Sequence, residues 1–403
     1  MNMKILWSGP YYSDYALKMK TTLAPSELRW SVGLMSAVNK IAEVEVVNHV
    51  PEQRWPKGRT IWQGGDAKWF RDDLPMTRIS YLNVMGLKNI WLCQVYAKMV
   101  RKILQQGGFN VFMCYNSLHP YHVAAMREAK KLGVKVVPII LDGDDPRGDG
   151  WRKLTRDNLY ADGVVFLSYW AYRNYPAMAG NGRCHILHLD GGEVRWRGGE
   201  RYPSPVAREP FTIVHTGALD KWRGLRVMQK LLKVFDRRDV RFVFCGRCDK
   251  TKRLAELGND SRIEVKGFVS EKEMDEICRR ADAFISVRDP EVGDNVLNYP
   301  SKIPYCLSWG KPVVSTWVES FSPDYRDVLV VPEENNAVGV AKKLNEIISW
   351  TDAQRSVHSE LQRRWFEAHK TWNVQAHRLV EFLGNEVLHL LLHFLWYLFH
   401  YQH

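Results

Sequence analysis

Short apolar runs rich in β-branched residues alternate with stretches of helical periodicity along almost the whole chain. The runs predict strands over residues 3–7, 44–47, 111–114, 134–141 and 164–167, and again over 211–216, 241–245, 262–266, 283–287, 312–316 and 328–331. Amphipathic segments at 87–106, 121–132, 225–235, 271–280 and 338–350 predict helices between them. Continuous apolar strands separated by helices belong to parallel sheets covered on both faces. From Gly191 to Pro210, glycine, arginine, proline and charge replace periodicity, and the alternation starts afresh at Phe211. The pattern therefore predicts an α/β chain of two doubly wound, Rossmann-like domains facing a cleft. Ligands are expected there, at the carboxyl ends of the strands. No tandem repeat or low-complexity tract interrupts it.

Length agrees with that division, since 403 residues exceed what one core usually organises. An apolar fraction of 45% with 25% charge excludes a mainly disordered chain. No run reaches the ~18 apolar residues of a spanning helix, and residues 1–12 lack a long apolar signal core. Seven cysteines without a disulfide rhythm predict reduced thiols and a cytoplasmic setting. The formal charge of +12 favours anionic partners. No nucleic-acid motif accompanies it, so phosphorylated small molecules or an acidic lipid surface fit better than DNA or RNA.

Three segments carry candidate chemistry. The first strand ends in Trp7-Ser8-Gly9-Pro10, where Gly9 lets backbone approach a ligand phosphate; a plain turn is the competing reading. The second domain opens with a strand, the Gly217 turn, the cations Lys221 and Arg223, and a helix. Cations beside a helix start make an anion site, although charges in such a loop also occur simply as solvated surface. Residues 298–316 read as helix start, helix, glycine cap and strand, with Ser301 and Lys302 placed to face a phosphate and Gly310 closing the helix. A lone Cys-x-x-C at Cys245 and Cys248 has no second pair at zinc spacing, and core packing explains it better.

The last two segments, in this order and at this distance, resemble the carboxy-terminal domain of GT-B glycosyltransferases, specifically the large retaining family four. Tyr299 to Thr316 follows that family's F-P-S-K-L-x-E-Y-L-x-x-G-K-P-V-I-S-T pattern closely. The turn Gly267-Phe268-Val269 is similar to its base-recognition loop, while Tyr115-Asn116, Ala161-Asp162-Gly163 and Leu167-Ser168 resemble its first domain. The resemblance implies domains at 1–200 (acceptor side) and 201–372 (nucleotide sugar), with a crossover helix at 373–385. It departs at three points. Ala218 stands where the family has Arg, with Lys221 as a partial substitute; Arg223 replaces Lys; and Leu297 and Tyr305 replace the paired glutamates. A phenol at 305 cannot take two ribose hydroxyls as a carboxylate does.

What the resemblance implies is transfer of a sugar from a nucleotide-diphosphate sugar to a glycan or lipid-linked acceptor hydroxyl, the work of a hexosyltransferase acting with retention. Arg223 and Lys302 would neutralise the departing diphosphate, and His119 would orient donor sugar or acceptor. Gly9, Gly217, Lys221, Phe268, Val269, Ser301 and Tyr305 would hold the donor, with Asp294, Asn295 and Asn298 supplying sugar contacts. Asn116, Asp142 and Asp144 would meet the acceptor; the acidic run is also like a metal-binding Asp-x-Asp, a reading that GT-B context disfavours. No cofactor and no metal is expected. The rival readings are a pseudoenzyme that binds glycan or nucleotide, and a nucleotide-sugar epimerase or phosphorylase. Residues 386–403 are apolar and aromatic; packing against the first domain and peripheral seating on a membrane are both open.

Overall fold

The computed structural model describes residues 3–12, 25–58, 60–64, 68–71, 74–117, 119–143, 150–179, 185–196, 210–219, 224–246, 260–289 and 292–384. Among the described residues ten strands lie before residue 190: β1 (Lys4–Ser8), β2 (Glu43–Asn48), β3 (Trp62–Gln63), β4 (Lys68–Arg71), β5 (Leu74–Arg78), β6 (Tyr81–Leu82), β7 (Val111–Tyr115), β8 (Lys135–Ile140), β9 (Gly163–Phe166) and β10 (His185–His188). Eight of them form one sheet in the order β10-β9-β8-β7-β1-β2-β5-β4. Its pairs are parallel except the edge pair of β4 with β5, and β3 and β6 make a separate antiparallel ribbon. The second sheet is wholly parallel, ordered β13-β12-β11-β14-β15. It uses β11 (Phe211–Thr216), β12 (Val240–Cys245), β13 (Ile263–Gly267), β14 (Ala283–Ser286) and β15 (Val313–Ser315).

Helices cover both faces of each sheet, as buried strands require. On one side of the first sheet, α2 (Lys88–Gly107) and α3 (Pro120–Lys131) bury Leu92, Tyr96 and Met126 against Leu6, Phe112 and Val136. On the other, α1 (Pro25–Val38) sets Leu34 and Val38 against Ile5, Val46 and Val111. The shorter α4 (Gly150–Asp157) and α5 (Tyr169–Ala179) flank β9, where Leu154 and Tyr175 pack on Val164 and Phe166. In the second sheet, α6 (Leu225–Val234) and α9 (Ala337–Ile348) enclose Ile213, Phe242 and Ile285. The opposite face receives α7 (Glu271–Arg280), α8 (Lys302–Leu307) and α10 (Asp352–His369) through Cys278, Ile303 and Phe366.

Local signals set several helix ends. Ser270 accepts the Glu273 amide before α7, and Asn336 accepts those of Val338 and Gly339 before α9. Thr351 and Gln354 form a reciprocal capping box at α10.

The final helix, α11 (Trp372–Gly384), leaves α10 and packs on α1, with Trp372 and Trp30 meeting edge to face at 5.9 Å. Its own end is tied to the first sheet by Lys135 Nζ, which donates to the Leu383 carbonyl at 3.0 Å. The chain thus passes between the two sheets twice, and the passages touch. Gly192 N donates to the Lys370 carbonyl at 2.8 Å, and Trp372 N to the Gly192 carbonyl at 3.2 Å. Beside them Lys370 Nζ and Asp190 form a buried ion pair at 2.7 Å, and the cation lies over the Tyr325 ring.

The main differences from the sequence pattern are at the edges. Residues 328–331 do not form a strand but make a single bridge, Val314 to Val330. They are trapped between the 3-10 turn Pro323–Asp327 and Pro332. Strands β3 to β6 and β10 escaped prediction because they are short, polar or histidine-flanked and take their order from pairing. Among the described residues no helix is long and apolar enough to cross a membrane.

Candidate functional site

Three glycines end three neighbouring strands of the second sheet: Gly217 after β11, Gly246 after β12 and Gly267 closing β13. All have positive φ, at 88°, 138° and 67°. Gly217 N donates to the Cys245 carbonyl at 2.7 Å, and Gly246 N to the Gly267 carbonyl at 2.8 Å. A Cβ on Gly246 would collide with the Gly217 carbonyl, so that close backbone approach demands glycine. The result is a bare shelf of main chain at the carboxyl ends of the strands, with Gly217 exposed.

Lys302 stands beside the shelf, its Cδ 3.9 Å from where a Gly217 side chain would begin. Its ammonium group donates to His215 Nε2 at 3.3 Å. His215 is buried on β11, and its Nδ1–H donates to the Ile285 carbonyl at 3.2 Å, which leaves Nε2 as an acceptor. Burial first, and then the Lys302 cation, hold this imidazole well below its ordinary pKa. A neutral histidine therefore positions a charged lysine. Helix α8 is only six residues long, so the positive charge here comes from the Lys302 side chain more than from a helix dipole. Ser301 is exposed and makes no side-chain cap.

Tyr305 is one turn further along α8. Its hydroxyl donates to Asp275 Oδ1 at 3.4 Å and lies 3.7 Å from Cys278 Sγ, while Arg29 and Arg195 stack over its ring at 5.0 and 5.8 Å. Arg195 also pairs with Asp275 at 3.2 Å. The phenol is pushed up chiefly by burial and is neutral. Phe268, directly after the shelf, is exposed, and Val269 is half-buried.

The loop at 288–298 is internally tied. Arg288 Nη1 donates to Asn295 Oδ1 at 2.8 Å and to the Asn298 carbonyl at 3.0 Å, and Asn295 Nδ2 donates to the Asp289 carbonyl at 2.6 Å. Asn298 Oδ1 accepts the Gly143 amide of the first half at 3.0 Å. Leu297 is buried there; a Cβ on Gly143 would lie 2.8 Å from its Cδ1. The position at which the resemblance puts an acid is thus a hydrophobic contact between the two halves. Asp294 belongs to the 3-10 turn Gly293–Val296.

On the first sheet the carboxyl ends carry side chains rather than bare backbone. Gly9 follows β1 and is closed in by the Trp7 ring and by Tyr115, 2.8 Å from an added Cβ. Asn116 adopts a left-handed φ of 57°, and its Oδ1 accepts the Leu141 amide at 3.0 Å and the Asp142 amide at 3.5 Å. It splices two loops together. His119 starts α3 and stacks on Tyr121 at 5.1 Å; burial and Lys153 lower its pKa. Beneath it His122 is fully enclosed, with Nδ1–H donating to the Asn116 carbonyl and Nε2 accepting from Ser8 Oγ, both at 3.1 Å. Burial and then His119 push it down to about 3.

One carboxylate here went unnoticed in the sequence. Glu27, in the first turn of α1, is raised to about 6, by burial and then by the charge of Asp142. Burial first, and then the charges of both acids, raise the Tyr115 phenol. Only its position at a helix start marked Glu27. The buried lysine-holder His215 lies two residues before Gly217, inside the same strand-and-turn motif, and was equally silent.

The geometry thus brings Gly217 and Lys302 together, joins Asn298 to the Asp142–Gly143 loop, and sets Tyr305 to one side against α7. Lys221, Arg223, Asp144 and the tail 386–403 lie outside the described residues. Among the described residues no three His, Cys, Asp or Glu side chains converge to hold a metal ion.

No protein-family model and no curated protein matches the chain. Solved structures do. A glycosyltransferase from Rickettsia africae ESF-5 superposes with a TM-score of 0.67 at 13% identity, covering 96% of this chain and 100% of that one. Anabaena HepE in complex with UDP gives 0.64 at 13% identity, over 95% and 100%. The E. coli trehalose-6-phosphate structure bound with UDP-2-fluoro glucose gives 0.66 at 11% identity, over 94% and 99%. The fold is GT-B. At these identities the match establishes architecture, and chemistry has to be argued from the site.

Proposed function

We propose that the chain is a hexosyltransferase that moves a sugar from a nucleotide-diphosphate sugar to a hydroxyl of a glycan or lipid-linked acceptor. The observation that carries this reading is the glycine shelf with Lys302 beside it, facing a loop of the other half that bears Asp142. A bare backbone admits a bulky diphosphate, and a lysine held by a neutral histidine presents full positive charge to the leaving group. Stabilising a departing diphosphate is what such a transfer needs, and it requires no side-chain nucleophile. UDP in the HepE structure and UDP-2-fluoro glucose in the E. coli structure make a uridine donor the first to try.

In this reading Lys221 and Arg223 complete the anion site, and Phe268 and Val269 edge the base. Asp275, bonded to Tyr305, supplies the carboxylate that family four places at 305. Glu27 and Asp142 receive the acceptor hydroxyl, with His119 at its flank. Asn116, Asn295 and Asn298 serve by holding loops in register. Units at 1–200 and 201–372, retention of configuration and membership of family four belong to the same proposal.

The test is direct. Nucleotide sugars are screened by thermal shift, and the one that raises the melting temperature is assayed with and without glycan and lipid-linked acceptors. Release of nucleotide only with acceptor supports a transferase. Binding without release under any acceptor would favour the pseudoenzyme, which Ala218, Leu297 and Tyr305 motivate.

A further inference from the structure

The ribbon of β3 and β6 and the first turns of α2 form a patch unlike the rest of the surface. Ile61 and Trp62 project from the ribbon, Met85 and Leu87 from the following turn, and Ile90 and Trp91 from the helix. Met85 is 66% exposed, Ile90 60%, Leu87 and Trp62 51% each. Single exposed apolar residues are ordinary, but these are neighbours. Trp62 and Trp91 meet edge to face at 5.9 Å. The scaffold beneath is firmly tied. Trp62 pairs with Leu82 across the ribbon, and Asn83 donates from its amide to the Ile61 carbonyl at 2.7 Å and from Nδ2 to the Gln53 carbonyl at 2.7 Å. Lys88 Nζ donates to the Glu52 carbonyl at 2.7 Å. The patch is a built surface.

The exposed charge around it is mainly positive; the half-buried Glu52 carboxylate accepts from the Thr60 hydroxyl and from the Gln63 side chain at the ribbon. Arg54 and Lys57 are exposed on one flank. Along α2, the face that begins with Leu87, Ile90 and Trp91 continues at Gln94, Lys98, Arg101 and Lys102, all exposed. Arg101 reaches to Glu128, while Lys98 and Lys102 are exposed beside it. Branched and thioether apolar tips, two indoles in edge-to-face contact and a mainly cationic border form the composition that enters the headgroup boundary of an anionic bilayer.

Position adds to this. Helix α2 leads into β7, so its first turns lie at the carboxyl ends of the parallel strands. Tyr96, two turns in, bonds His49 at the end of β2 at 2.8 Å. The patch borders the edge of the first half that carries His119 and Tyr121, whose ring packs 4.8 Å from that of Tyr96.

We propose that this face seats the protein on an anionic phospholipid bilayer, with Trp62, Ile90 and Trp91 inserted and Lys98 and Lys102 over the headgroups. The first half, with its cleft edge, then stands at the membrane surface, independently of the tail at 386–403.

The experiment sediments the full chain with vesicles of phosphatidylglycerol and phosphatidylcholine, or of phosphatidylcholine alone. Wild type should pellet with the anionic vesicles and lose most binding in high salt. A Trp62→Ser, Ile90→Ser, Trp91→Ser variant should lose at least tenfold in partition, and Lys98→Glu with Lys102→Glu a similar factor, both keeping the wild-type melting temperature. Because every variant retains residues 386–403, undiminished pelleting of the folded triple variant would overturn the proposal and leave the tail as the anchor. So would failure of wild type to pellet. Sedimentation velocity adds one more way to overturn it: a wild-type dimer made monomeric by the triple variant, with no vesicle binding, would assign the patch to a second copy of the chain.

Discussion

The two sheets present opposite kinds of surface to the cleft. The second ends three of its strands in glycine, so that main chain is laid open and, among the described residues, Lys302 supplies the charge beside it. The first ends its strands in tyrosine, histidine, asparagine and acid, and Trp7 and Tyr115 crowd even its glycine, Gly9. A backbone shelf suits a ligand part that never varies, such as a diphosphate, since main chain reads shape and charge but little else. Side chains suit the part that distinguishes one acceptor from another. The asymmetry is consistent with a shared donor chemistry beside a specialised acceptor.

The most disruptive way to separate the two surfaces is at their joint. Lys370→Ala strands the buried Asp190 charge and is expected to cost ~3–5 kcal/mol of stability, read by urea unfolding. Replacing both partners with apolar residues should recover much of it. An unchanged midpoint for the single variant would show that the pair does not hold the joint.

Next comes the shelf. Lys302→Ala should lower kcat by about 10²–10³-fold, or ~2.7–4 kcal/mol of transition-state stabilisation, with the melting temperature kept, once a donor is in hand. Retention of wild-type kcat and KM would dissociate the lysine from the diphosphate.

The histidines of the first half sharpen the contrast through pH. His122 has a folded pKa of about 3, below the ordinary value of 6.5, so the unfolded chain binds a proton that the folded chain refuses. Its contribution is complete above the unfolded value and is lost as pH falls toward the folded one. Between pH 7 and 5 this amounts to about 2 kcal/mol. Burial depresses His49 in the same direction. A His122→Gln variant should show a shallower loss of unfolding free energy over that window; an identical slope would contradict the assignment.

The smallest effect is expected at Glu27. Replacement by Gln should reduce turnover roughly tenfold, about 1.4 kcal/mol, and abolish an inflection in the rate near pH 6. If the inflection persists in the variant, another group titrates there.

The architecture was legible because buried parallel strands announce themselves as apolar runs, and the break before Phe211 separated two sets. Strands β3 and β6 were not, since a two-residue ribbon exists only by virtue of its partner, and neither were β4 and β5, a short antiparallel pair at the edge of the first sheet. Gly217 and Lys302 stood out through their motifs. Glu27 and His215 did not, because their states come from burial and from neighbours distant in sequence. Asn116 and Asn298 read as ligand contacts, yet their side chains bond loop backbone, a role that depends on a fold no local pattern reveals. Leu297 shows the same limit from the other side, a position of expected chemistry used for packing.

The touching passages at Gly192 and Lys370 have a mechanical consequence. A single tether would let the halves swivel about any axis, whereas two segments bonded side by side behave like the leaves of a door hinge. The line joining them is the axis along which bending is cheapest, and twisting about any other shears the two backbone hydrogen bonds and the buried ion pair. The Gly143–Asn298 bond and the Leu297 contact brace the same arrangement from a second point, so the joint and that bond together set Lys302 relative to the first sheet.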